Sequence, residues 1–207
     1  MIESNARPEA PLWTQGIRAR VCEAAFGERL ISNHFRGLVA EAIVASVLEP
    51  EWTWCSADWA RWDFERADGL RLEVKQSASR QTWSTNGAAR SACRFDIRAR
   101  AGTDAGSPTP LRPARAADLY IFAHHFEFGD AADHGDPTQW RFFVISEHRL
   151  PLAQTIGLPR IAKLARPSNF AHVAADVNAV AREQTERSDK AARQRDATQQ
   201  LPKALRP

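Results

Sequence analysis

Two short segments, Trp62 to Arg66 and Leu70 to Ser77, alternate apolar and polar residues with period two around Ala67, Asp68 and Gly69. Period two sends successive side chains to opposite faces of a strand, so the pattern predicts a β-hairpin. In the second strand Leu70, Leu72 and Val74 point to one face, and Arg71, Glu73, Lys75 and Ser77 to the other. An apolar face of this kind has to be covered, and the rest of the chain must pack around that requirement. With a three-residue loop and Gly69 in the left-handed region, Asp63 falls directly opposite Glu73.

The cover is a helix over 33–48. Phe35, Leu38, Val39, Ala42, Ile43 and Val47 recur at helical spacing, Ser32 or Asn33 stands at the N-cap, and Pro50 closes the segment. A weaker helix is expected over 14–30. Cys93, Phe95, Ile97 and Ala99 alternate with Arg94, Asp96, Arg98 and Arg100, which predicts a third strand with a basic outer face. Residues 102–117, rich in Gly and Pro, are expected to form a long loop. The apolar runs 119–128 and 140–145 do not alternate, as strands covered on both faces do not. A short helix over 159–165 and a longer one capped by Ser168 complete the order, whose apolar stripe ends near Glu183. This predicts an α/β fold with a mixed central sheet flanked by helices, one domain over 1–183, and a polar, partly disordered tail over 184–207.

Charge sharpens the functional question. The formal net charge of +3 is carried by residues 182–207, with seven basic and four acidic side chains, so the preceding part is formally neutral. Net charge is therefore weak evidence for nucleic-acid binding by the domain, though the tail would add salt-sensitive, sequence-independent affinity. Local patterning is more pointed: Arg80, Arg90, Arg94, Arg98, Arg100, Arg112 and Arg115 face only Asp96 and Asp104. Cys22, Cys55 and Cys93 form no CxxC pair and are read as reduced thiols. No long apolar run and no apolar leader is present, so no membrane partner and a cytoplasmic location are expected.

Opposed residues on one sheet face have Cβ atoms about 5 Å apart. Carboxylates of Asp63 and Glu73 at that separation repel by roughly 3 kcal/mol at an effective dielectric near 20. Lys75 offsets part of this. A divalent cation bound by oxygens would offset the rest, since Mg²⁺ takes one or two carboxylates with water and phosphate.

These residues, D63-F-E-R-A-D-G-L-R-L-E73-V-K75-Q, resemble the PD-(D/E)XK nuclease superfamily, whose fold is restriction-endonuclease-like. The resemblance covers roughly residues 33–100, and Trp62 stands where the motif's proline would be. It implies that Asp63 and Glu73 ligate Mg²⁺ (or Mn²⁺), with the Val74 carbonyl as a further ligand. Lys75 would orient or deprotonate the attacking water, and Glu41 would be the acidic residue contributed by the preceding helix. The implied activity is hydrolysis of phosphodiester bonds, in DNA or RNA, by an endonuclease-like enzyme in which a homodimer is one accessible state.

Other readings stay open at this stage. Asp63, Glu73 and Lys75 could form a solvated salt-bridge ladder, or the domain could bind nucleic acid without cutting it. Asp58 and Glu65 are substitutes for Asp63. Gln76, Ser77, Gln81, Trp83, Arg94 and Arg98 are the expected nucleic-acid contacts, with Trp83 either stacking on a base or anchoring its loop. His124, His125 and His134, near Asp130, Asp133 and Asp136, suggest a second metal site, but neighbouring histidines on a strand face opposite ways. No GxSxG elbow or Cys/His pair points to a covalent intermediate.

Overall fold

A computed structural model describes residues 12–55, 60–84, 90–103 and 110–199. Helices α1 (Leu12–Phe26) and α2 (Asn33–Leu48) open the fold. The bounds of α2 are those its periodicity predicts. Strands β1 (Trp52–Trp54), β2 (Phe64–Arg66) and β3 (Arg71–Ala78) follow, then β4 (Arg94–Asp96), β5 (Arg100–Thr103) and β6 (Pro110–Ala114). The chain continues through β7 (Leu119–His125), β8 (Trp140–Ser146), β9 (Thr155–Gly157), α3 (Leu158–Leu164) and α4 (Val173–Gln199). It is a mixed α/β fold in which five strands form one sheet in the order β1-β2-β3-β7-β8. Strands β3 and β7 are parallel and the other neighbours antiparallel.

The alternation in β3 decides how the sheet is covered. Leu72 and Val74 join Ile121, Ala123, Phe142 and Val144 beneath α2 and α4. On the opposite face Tyr120, Phe122, Phe143 and Ile145 pack against Phe95, Ile97, Ile156 and Ile161. Because both faces are covered, every residue of β7 is buried, which is why its sequence does not alternate.

Several expectations are corrected. The long loop over 102–117 is instead the hairpin β5–β6, which a proline-rich sequence disguises: Pro110 lies at a strand end, where a missing N–H is tolerated. The third strand, expected over 93–100, is split, and β4 pairs with the distant β9. Ser168 does not cap α4; its N–H and carbonyl pair with Phe142 at 2.7 and 2.9 Å. Helix α4 runs on to Gln199, well past the end of its apolar stripe near Glu183; among the described residues Ala181 is the last buried one in it. Residues 200–207, Asp58 and Asp104 lie outside the described residues. Among the described residues no helix is long and apolar enough to cross a membrane.

Candidate active site

The hairpin has the expected turn. Arg66 N–H donates to Leu70 O at 2.9 Å, and Gly69 closes the loop at φ +84°, a conformation that side chains disfavour. The pairs Phe64↔Leu72 and Glu65↔Arg71 set the register that would place Asp63 against Glu73. The ladder stops two residues short of what the sequence implies, because β2 begins at Phe64 and both Trp62 and Asp63 lie outside it. Asp63 sits at the bend, its N–H donating to Leu72 O at 3.0 Å.

This early stop leaves the Val74 N–H without a strand partner on that edge. The Asp63 carboxylate takes the strand's place, its Oδ2 accepting from Val74 N at 2.6 Å. A residue's N–H and C=O point to the same edge of a strand, so the Val74 carbonyl opens toward Asp63 as well. Glu73 and Lys75, on the face opposite Leu72 and Val74, are ion-paired and only 17% and 22% exposed at their side chains.

Glu41 reaches the same cluster from α2. Trp54 Nε1 donates to its Oε2 at 3.1 Å, and its carboxyl is pushed up by burial, with the charge of Glu73 adding to the effect. Asp63 is raised further, to about 7, by burial first and then by repulsion from Glu73 and Glu41. Three carboxylates and one lysine thus share one electrostatic environment. Glu65, by contrast, is paired with Arg71 at 3.6 Å, away from this group.

Asp63, Glu73 and Lys75 line a cleft of about 320 Å³ together with Tyr120, whereas Glu41 lies outside its lining. Arg61, Arg98, Arg100 and Arg115 line it too, with Asp96 the counter-charge to Arg98 and Arg100 at 3.0 and 2.9 Å. An acidic centre is therefore rimmed by guanidinium groups. Arg115 is fixed, donating to Ile97 O at 2.7 Å and to Glu147 Oε1 at 3.0 Å. Tyr120, buried and stacked on Phe122, has its hydroxyl pushed up by burial and by Glu73.

The expected nucleic-acid contacts divide. Arg98 lines the cleft, whereas Arg94 is exposed on β4 without lining it. Trp83 is 68% exposed in the loop after β3. Ser77 follows Lys75 on the same face and is half-buried. Gln81 is turned inward, donating to Ala78 O at 2.9 Å. Gln76 faces α2, where its Oε1 accepts from Arg36 Nε at 2.7 Å. Both glutamine side chains are thus held by hydrogen bonds within the protein. Arg36 is 1% exposed, with its pKa lowered to about 10 by desolvation, and gives Gln76 its task. Period analysis misses this because Arg36 sits in the first turn of α2, where a charged residue reads as solvated.

The histidines are engaged within the fold. His134 Nδ1 lies 2.9 Å from Ile31 N, His125 Nε2 2.9 Å from Asp133 O, and His124 Nε2 3.1 Å from Ser79 Oγ. His125 and His134 pack edge to face, with Trp140 against His125. Burial drives His124 and His134 down to about 4, so they stay neutral core groups. Among the described residues no group of three or more His, Cys, Asp or Glu side chains forms a ready-made metal cage.

Arg61, Trp54 and Tyr120 are the site residues that the sequence did not reveal. Trp54 had a usable signal, an aromatic just after the helix that carries Glu41. Comparison with family models, with curated proteins and with solved structures returns no match.

Proposed function

We propose that the chain is a metal-dependent nuclease of the PD-(D/E)XK type on a restriction-endonuclease-like fold, hydrolysing phosphodiester bonds in DNA. The observation that supports this reading is that Asp63, which accepts from Val74 N–H where β2 stops, lines one cleft together with the ion pair Glu73–Lys75. Burial and the charges of half-buried Glu73 and Glu41 raise Asp63 to about 7, which favours this reading over a solvated salt-bridge ladder.

The donor set fits Mg²⁺. Asp63, Glu73 and the Val74 carbonyl offer hard oxygens, and Mg²⁺ ordinarily completes its shell with water and phosphate rather than with a full protein cage. When bound, the metal would supply charge stabilisation on the phosphate and lower the pKa of a coordinated water. The chain's own groups do the rest. Lys75 orients the water and stabilises the negative charge that builds on the phosphate as the water oxygen bonds to phosphorus and the P–O bond to the leaving oxygen breaks. Glu73 holds the lysine ammonium in place. Glu41, outside the cleft lining and anchored by Trp54, acts through charge or a bridging water. The arginine rim binds the flanking phosphates.

The test is cleavage of linear, circular, branched and RNA substrates with Mg²⁺ or Mn²⁺, for the parent and for Asp63→Ala and Glu73→Ala. Metal-dependent cutting that both variants lose supports the enzyme. Binding without cutting by the parent, under every metal condition, would leave only a binding module of the same fold.

A further inference from the structure

The cleft is closed on one side by an arginine tie. Strands β5 and β6 pair at Arg100↔Ala114, the foot of their hairpin. Arg61 Nη2 donates to the carbonyls of both residues, at 3.3 Å to Arg100 O and 3.5 Å to Ala114 O. Arg61 lies two residues before Asp63, so one side chain ties the segment entering the carboxylate cluster to the foot of a hairpin that follows β4. The wall so formed belongs to the same cleft as Asp63, Glu73 and Lys75.

That perimeter limits what can reach the cluster. The reactive carboxylate and ammonium groups are recessed, and about 320 Å³ is the small end of pockets that engulf a single small ligand. It admits one nucleotide unit of a backbone. A B-form duplex is far larger than that space and presents its phosphates only from its own surface. Basic walls that follow a backbone are the means by which proteins hold single strands irrespective of sequence. Arg61, Arg98 and Arg100 together provide such a lining.

We propose that the substrate is a single-stranded segment of DNA, such as a free end or a frayed or displaced strand, and that the Arg61 tie excludes closed duplex. This rests on the nuclease reading for the cutting step but not for the strand preference. The full-length chain is tested in two arms: anisotropy of a labelled short single strand and of a closed hairpin duplex in EDTA, then cleavage of both in Mg²⁺. The parent should bind and cut the single strand at least about tenfold better than the duplex. Arg61→Ala should bring the ratio of the two rates toward one by opening the wall to duplex, with a melting transition confirming that it folds. Arg61→Lys keeps the charge but lacks the planar fork, and should stay relaxed.

A parent that binds and cuts closed duplex as well as single strand overturns the inference while leaving the nuclease intact. So does an unchanged ratio in a folded Arg61→Ala, or a ratio restored by Arg61→Lys, because charge rather than the tie would then select. Preferential single-strand binding that Arg61→Ala abolishes, without cutting of either substrate, supports the inference and sinks the nuclease reading.

Discussion

Replacing Asp63 with Asn should make the metal-free protein more stable, although it removes a residue at the centre of the proposed chemistry. The ordinary Asp value is near 3.8 and the folded value about 7, raised by burial, Glu73 and Glu41. One unit of pKa difference is about 1.4 kcal/mol, so the ionised side chain opposes folding by at most about 4 kcal/mol. The sign follows from proton binding. A folded value above the unfolded one means that stability is lost as pH rises from about 4 to about 7, and stays low beyond. Asn keeps an oxygen that can accept from Val74 N–H, while the partly solvated cluster can relax around a charge. The expected gain is therefore about 1–3 kcal/mol near pH 8 and close to zero near pH 4.

For a domain of this size each kcal/mol moves the melting temperature by about 2–4 °C. Melting the parent and Asp63→Asn in EDTA across this pH range reads the effect directly. Titration with Mg²⁺ should reverse the order. The parent should gain about 2.7 kcal/mol at a hundredfold excess over Kd, and the variant much less. If Asp63→Asn is less stable than the parent near pH 8, or gains as much near pH 4, then Asp63 does not sit among repelling charges and the cluster fails as a metal site.

Four further outcomes are expected. Lys75→Ala should lose about 10²- to 10³-fold in single-turnover cleavage while keeping metal and DNA binding, and should be stabilised more by Mg²⁺ than the parent, because it loses the cation offsetting the carboxylates. Glu41→Gln should weaken Mg²⁺ affinity less than Glu73→Gln does, and Trp54→Phe should reproduce part of its effect through the lost hydrogen bond, both read by metal titration. Gln76→Ala should cost about 1–3 kcal/mol in urea unfolding, since it strips an acceptor from buried Arg36, and should leave DNA affinity unchanged. His124 and His134 have folded values near 4, below the unfolded 6.5, so their stability is present above about pH 6.5 and lost as pH falls toward 4. That acid loss should be steepest in Asp63→Asn, where the opposing contribution of Asp63 is gone.

The legible parts of this fold are those written in short-range periodicity. Helix α2, the turn at Gly69, the facing of Leu72 and Val74 away from Glu73 and Lys75, and the doubly covered β7 and β8 all follow from spacing alone. What failed depends on partners far along the chain. β4 pairs with β9 some sixty residues away, Ser168 is claimed by Phe142, and Gln76 is claimed by buried Arg36, forty residues earlier. The same limit applied at the site. The sequence placed Asp63 on the strand because alternation continues through Trp62, yet Trp62 half-buries beneath the guanidinium of Arg71, 3.7 Å from its ring, and the ladder ends before Asp63. A local pattern cannot show that a side chain has a better use than its own strand.

That early ending is what makes the site chemically different from the rest of the sheet. β3 is eight residues long and its neighbour β2 only three, so an edge of β3 beyond Leu72 has no strand to satisfy it. Elsewhere such an edge would be covered or would invite another chain. Here one carboxylate takes the open N–H, a second approaches from the helix on the far face, and the pair Glu73–Lys75 stands on the near face. Extending β2 through residue 62 would place a strand carbonyl against Val74 N–H and release Asp63 from it, lowering the repulsion and dispersing the oxygens together. The stability lost in the metal-free protein and the proposed capacity to gather a hard cation therefore have one structural origin. A variant that restores the ladder should gain the first only by giving up the second.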